Sequence, residues 1–423
     1  MRARTRLALY VVSAWQAIAL TTINFVVPVY VSAGQAHAPS HLVANLALFS
    51  LPYLGGFVLA HVIGALIDVT GRVKPFMLLA VGAHLFGLAL LAVVRAPWEI
   101  LGASAIAASF TGTLNTTLKT YATRLAEDAK GVALSRLTQA AQVGWLVGGV
   151  ITAFWLVEVS PAAAHAVIVA DIALTLLTLA LVAALLPRLA VVAGAVGHAS
   201  EERRGILRGI AADLEQVYAE PALVRTCFAA VLLVIGNWVF VGTFSVFLVE
   251  HLGAPSTSIG WLNVIGAIVA LVLLPVIGAV CDRRGAVASI RLGAVGYVVC
   301  YAILFAAPGV FAAGVVFSLP AYAALLIGLS AAAADVGGIG RRGGGIGAVD
   351  GLWAVAIALG AALGGLVADW GPSAIPAAAL ALCALGAVLA WSESGRLAAR
   401  LEAVARSNAP LDRGAEAAVD SPR

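Results

Sequence analysis

Apolar runs of about twenty residues, each closed by a short polar or glycine- and proline-containing turn, recur along this chain. They cover about residues 7–31, 42–67, 76–94, 98–118, 132–157 and 162–186, and then 223–249, 259–280, 288–307, 310–334, 346–368 and 375–391. A helix of about 20 apolar residues crosses a hydrocarbon core roughly 30 Å thick, so each run predicts one membrane-spanning α-helix. The interruption between the sixth and seventh runs has a different pattern. There Ile206, Ile210, Leu214 and Val217 follow a charged cluster at Glu201, Glu202, Arg203, Arg204 and Arg208, spaced by four, four and three, which predicts an amphipathic helix. It lies against the inner membrane surface or stands as a solvated linker.

The polar turn after the second run contains Gly64, Asp68, Gly71, Arg72 and Lys74. Its two glycines and aspartate return as Gly278, Asp282 and Gly285, all displaced by 214 residues, about half of the 423-residue chain. This duplication predicts two pseudo-symmetric six-helix bundles, an all-α integral membrane protein with twelve transmembrane helices. The predicted divisions are an N-terminal bundle at 1–187, a cytoplasmic linker at 188–222, a C-terminal bundle at 223–392 and a cytoplasmic tail at 393–423. In each copy the first glycine is expected to bring helix ends close, the aspartate to cap or pair a charge, and the second glycine to turn the chain. A further echo, Gly144, Gly148 and Gly149 against Gly360, Gly364 and Gly365, is offset by 216 residues.

Composition agrees with lipid as the main solvent. Hydrophobic residues make up 62% and charged residues only 11% of the chain, against about 25% charged in ordinary globular chains. With the amino terminus inside, every Lys and Arg except Arg95 falls in or beside a cytoplasmic segment, which predicts cytoplasmic termini in a multi-pass protein of the cell's inner (plasma) membrane. The formal net charge of +4 follows from that topology and points to no nucleic-acid partner. The first run follows three arginines and precedes an Ala36-His37-Ala38 that looks like a cleavage site, yet its apolar part exceeds the roughly 7–15 residues of a signal peptide. The four cysteines lack paired or metal-like spacing, and neither a metal nor a cofactor is expected.

The repeated turn resembles the loop signature of the major facilitator superfamily, G-x-x-x-D-x-x-G-R-x-K/R. The first copy matches throughout; the second has Ala286 where the family often carries a basic residue. The resemblance covers nearly the whole chain and implies a monomeric secondary transporter, similar to the twelve-helix drug/proton antiporter branch. It implies that Asp68 holds the cytoplasmic side shut by pairing with Arg72 or the start of the eleventh helix, with Glu127 or Asp128 receiving Arg72, and that Asp282 matters less. It also implies that the fifth and eleventh helices, with their glycine stripes, meet at the seam between halves. The position resembles the family's antiporter motif without its Gly-Pro. The drug exporters' coupling arginine in the fourth helix is absent from 103–106.

Two repeated halves imply a substrate site between them near mid-membrane, and the resemblance implies that the first, fourth, seventh and tenth helices line it. On those runs lie Trp15, Gln16 and Asn24; Thr111 and Asn115; Asn237, Trp238 and Phe244; and Tyr322. Such groups either line a cavity or tie helices together. No deep arginine accompanies them, and Lys119 is expected to snorkel to the cytoplasmic edge. The implied substrate is a small neutral or weakly cationic amphipathic compound, exported against protons; a symporter or uniporter of a neutral solute such as a sugar is the alternative. Asp171, Asp350 and His84 lie inside apolar runs and are candidates for proton coupling, or for neutral structural hydrogen bonding. No clustered nucleophile or paired acids suggest an enzyme, while a non-transporting receptor or scaffold is the alternative of another class. Gly338, Gly340 and Gly343 fit a dinucleotide-binding spacing but follow no strand, and read as an inner loop.

Overall fold

The structure, a computed structural model, describes residues 3–26, 43, 46–126, 129–155, 161–186, 211–212, 215, 217–255, 257–337 and 342–408. Within them twelve long helices follow the twelve apolar runs. The first half holds α1 (Ala3–Thr21), α2 (Leu51–Thr70), α3 (Lys74–Val93), α4 (Pro97–Leu125), α5 (Lys130–Trp155) and α6 (Pro161–Leu185). The second half holds α7 (Pro221–Val241), α8 (Thr257–Arg284), α9 (Ala286–Ala306), α10 in two pieces (Val310–Ser318 and Ala321–Gly337), α11 (Arg342–Ala368) and α12 (Ala374–Asn408). Prolines occupy the first turns of α2, α3, α4 and α7, where a missing N–H costs nothing. Pro320 lies between the pieces of α10, where it cannot donate to the preceding turn.

Ten of these elements are long and apolar enough to cross a membrane by length and composition. The remaining two, α4 and α5, carry more polar side chains, and many of those face other helices. Ser135 donates to the Leu274 carbonyl and Gln139 to that of Leu271, both on α8.

The two halves pack alike. In the first, α1 lies on α5, and α3 on α4 and α6; in the second, α7 lies on α11, and α9 on α10 and α12. Two seams join the halves, α2 against α11 and α5 against α8, and the same pseudo-symmetry relates them. This corrects the expectation that α5 and α11 meet. Gly144 and Gly148, like Gly360 and Gly364, face inward within their own half, whereas Gly149 faces α8 across the seam: a Cβ on Gly360 would lie 2.6 Å from the Ile235 carbonyl oxygen of α7, and one on Gly144 would strike α1 at Ala14. Small residues permit this close backbone approach, while the opposite face of each helix is left for the other half.

The repeated motif is explained position by position. Gly64 packs on Gly343 and Gly278 on Gly131, so the first glycine of each copy sits where a seam is tightest. Gly71 and Gly285 have φ of 66° and 86°, which side chains disfavour, and the Gly71 N–H closes α2 by donating to Ile67.

Candidate functional site

One end of the molecule is closed by two matching clamps. The Asp68 carboxylate accepts hydrogen bonds from the Gly343 and Gly344 N–H groups at 3.0 and 2.6 Å, at the first turn of α11. Asp282 does the same at the first turn of α5, accepting from Gly131 at 2.7 Å and Val132 at 2.9 Å. The first N–H groups of a helix have no partner within it and carry the positive end of its dipole, so a carboxylate is the complement they need. Each clamp has a second tie: Arg342 donates to the Thr123 carbonyl of α4 at 2.9 Å, and Lys130 pairs with Asp335 of α10.

The expected Asp68–Arg72 pair does not form. Arg124, at the inner end of α4, pairs with Asp68 instead, while Arg72 is exposed on the turn. Lys74 donates to the Ala183 and Leu186 carbonyls and so caps α6. Glu127 and Asp128 lie outside the described residues.

Between the halves lies a cavity of about 280 Å³. Gln16, Asn24, Asn115, Asn237, Trp238 and Tyr322 border it, six of the nine residues expected there. Trp15 and Phe244 do not. Trp15 donates to Thr175 at 3.1 Å and meets His84 edge-on, and Phe244 packs between Phe240 and Phe317. Both are apolar enough to serve the core, where helix rotation has turned them. The side chain of Thr111 lies outside the described residues.

Helices outside the expected four also contribute to the walls, through Tyr53 of α2, Gln142 and Trp145 of α5, Asn263 of α8 and Trp353 of α11. The signal was present as Gln142/Trp145 and Asp350/Trp353, pairs three residues apart and hence on one helix face. Aromatic rings pack into continuous walls, Trp238 against Phe49 and Tyr53 at 5.8 and 5.7 Å, and Tyr322 edge-on to Trp353 at 5.1 Å.

Asp350 is on this cavity wall. It forms an ion pair with Lys119 of α4 and accepts a hydrogen bond from Thr116 at 2.8 Å, so the contact joins the two halves. Lys119 is only 5% exposed and does not snorkel; α11 covers the inner part of α4, and a buried ammonium needs a carboxylate partner. A fixed cation therefore stands beside the cavity, which removes one ground for expecting a neutral or weakly cationic substrate. Asp171 lies elsewhere, between α3 and α6. Its Oδ1 accepts from Thr175 at 3.5 Å and its Oδ2 faces His84 Nε2 at 3.8 Å. His84 Nδ1 lies 3.1 Å from the Ala107 carbonyl and so acts as donor, which makes a proton on Nε2 or on Asp171 necessary for attraction. None of Asp171, Thr175 and His84 borders the cavity.

From the segment between the halves, Tyr218 donates to His61 Nε2, while His61 Nδ1 donates to the Phe57 carbonyl at 2.9 Å. This ties the linker to α2 beside the α11 seam. The four cysteines are buried free thiols.

No curated protein sequence matches the chain. Solved structures do. The human organic anion transporter MFSD10 (TETRAN) superimposes with a TM-score of 0.66 at 18% identity, covering 92% of this chain and 99% of that one. FucP of E. coli, in its outward conformation, gives 0.67 at 14% identity over 92% and 98% of the two chains. The nucleoside transporter NupG gives 0.63 at 13% over the same shares. At these identities the likeness establishes a shared fold. The sequence model of the Major Facilitator Superfamily matches residues 9–224 and 226–416, nearly the whole chain. With its two matched halves and interhalf cavity, this chain is a multi-pass membrane transporter, not an enzyme, and belongs to the major facilitator superfamily.

Proposed function

We propose that the chain carries a small amphipathic organic solute across a membrane by alternating access, with protons as the coupling ion. One observation carries the coupling: the Lys119–Asp350 pair joins the two halves at the cavity wall. Neutralising one member of a buried ion pair costs about 3–5 kcal/mol, because the other is left charged and unpaired. Protonation of Asp350 therefore weakens the hold of α4 on α11 and biases the equilibrium between closed and separated halves. Aromatic walls interspersed with carboxamides support a solute with a flat face and a few polar groups. With the Asp68 end taken as cytoplasmic from the Lys and Arg distribution, the two clamps support reading this state as closed toward the cytoplasm.

Proton-driven export, the direction favoured by the sequence, requires solute and proton to compete. Symport is the second reading, and the buried Lys119 favours it because a cation beside a titratable acid lets an anion and a proton bind together. The test is reconstitution into vesicles containing a pH-sensitive dye, screened with neutral, cationic and anionic amphipathic compounds. Proton movement that depends on one class of compound is expected, with its direction distinguishing the two versions. Transport of a compound without proton movement would sink the coupling.

A further inference from the structure

A second chamber of about 100 Å³ lies between α1, α4, α5 and α10, beside the main cavity. Gln16, Asn115, Gln142 and Tyr322 are among the residues that border both. The ion pair divides them: Asp350 borders the larger space and Lys119 the smaller. Lys119 has three N–H donors, and Asp350 takes one. Ser330, on α10, borders the same small chamber, and its buried hydroxyl has no hydrogen-bond partner. Among the described residues no carboxylate borders this chamber. An ammonium and an unused hydroxyl around a space of this size fit one small acceptor group bearing negative charge.

We infer that the small chamber seats an acidic headgroup, and that the solute is a monoanion, such as a carboxylate, with a flat ring-shaped body. This rests on the proton-coupling reading above. The body lies in the main cavity among Trp145, Trp238, Tyr322 and Trp353, and the headgroup crosses the shared border to Lys119 and Ser330. Charge balance then ties the solute to the proton. In the empty site Lys119 and Asp350 cancel. A monoanion alone leaves one excess negative charge in a poorly solvated interior, which is costly. A proton taken up on the Asp350 carboxylate restores neutrality and frees the Lys119 ammonium for the incoming acid, so anion and proton enter together with no net charge moved. A cationic solute meets repulsion from Lys119. The other ionisable groups around Asp350 are His61 of α2, whose ring nitrogens are engaged by Phe57 and Tyr218, and Tyr322 of α10.

The experiment uses the full chain in lipid nanodiscs and three probes with one ring and different charge: 2-naphthoate, 2-naphthamide and 2-naphthylmethylammonium. Binding is read by quenching of tryptophan fluorescence at mildly acidic and mildly alkaline pH. Naphthoate is expected to bind roughly tenfold or more tighter than the amide at acidic pH, as a charge-assisted hydrogen bond to a buried donor implies, and to weaken as pH rises. Ser330→Ala should lower naphthoate affinity several-fold and leave the amide unchanged. Because Lys119→Met alone strands a buried carboxylate, the double variant Lys119→Met/Asp350→Asn is used; it should abolish the preference and the pH dependence while still binding the amide. Equal or tighter binding of the amide or the ammonium, or binding of none, overturns the inference. Proton uptake driven by the amide alone overturns the anion seat and leaves the coupling reading intact. Selective naphthoate binding with no proton uptake in vesicles overturns the coupling and the joint entry of anion and proton.

Discussion

Asp68 and Asp282, displaced by 214 residues, perform the same structural act in opposite directions: each caps the first turn of a helix in the other half. Backbone N–H groups supply the donors of the second clamp, and Ala286 stands where the first copy has Arg72, which is exposed and takes no part in the first clamp either.

Asp68→Asn and Asp282→Asn are therefore both expected to loosen the closed end. Asp282→Asn exchanges a charge-assisted contact for a neutral one, a change of about 1–3 kcal/mol, and Asp68→Asn also leaves the buried Arg124 without its partner, at a cost of about 3–5 kcal/mol. Buried Cys281, next to Asp282 at the α5–α8 seam, reports the opening. Maleimide should label it faster in both variants, with transport slowed and solute binding kept. Wild-type labelling and transport in Asp282→Asn would rule out equal roles for the clamps.

For the cavity, apolar replacements of Gln16, Asn24, Asn115 and Tyr322 are expected to weaken solute binding several-fold, on the order of 0.5–1.5 kcal/mol each, with little loss of melting temperature. Trp15 and Phe244 should behave oppositely, losing stability with binding nearly unchanged. Asn237 belongs to both groups, because its side-chain oxygen accepts a hydrogen bond from the buried Tyr301 hydroxyl at 2.8 Å. Titrating a solute against each purified variant, alongside thermal unfolding, separates the two patterns.

Asp350 and Asp171 are expected to part company in vesicles. Asp350→Asn, paired with Lys119→Met to avoid a stranded charge, should lose uphill transport driven by a pH gradient and retain solute exchange only at raised solute concentration, because Lys119 no longer holds the headgroup. Asp171→Asn should retain both, with lowered stability from the disturbed His84 and Thr175 contacts. Loss of gradient-driven transport in Asp171→Asn with normal folding would return the coupling role to that residue.

Glycine replacements test the seams. A Cβ on Gly278 would lie 2.6 Å from the Ser135 Cβ, and one on Gly64 would strike the Gly343 carbonyl. Gly64→Ala and Gly278→Ala are expected to cost about 1–3 kcal/mol by overpacking. Gly82, on α3, has nothing within 4 Å of such a Cβ, so Gly82→Ala should be neutral or stabilise by up to about 1 kcal/mol through helix propensity. Thermal unfolding of the three variants checks the contrast; equal melting temperatures would remove the role assigned to the seam glycines.

Local patterns were enough to determine the number of helices and their division into two halves, and to mark Gly71 as a turn, where its φ is 66°. Span length, turn conformation and duplication are properties of contiguous residues, and lipid leaves a long apolar run little alternative to a helix. The partners were decided by tertiary structure. Arg124 reaches Asp68 where Arg72 does not, Trp15 and Phe244 turn into the core, and Lys119 becomes buried because α11 covers it. Each outcome depends on the rotation of a helix about its own axis and on which helix of the other half lies against it. Nearly every face of these helices is apolar enough for lipid or for another helix, so their sequence periodicity leaves that rotation open, and only packing of the two halves against each other sets it.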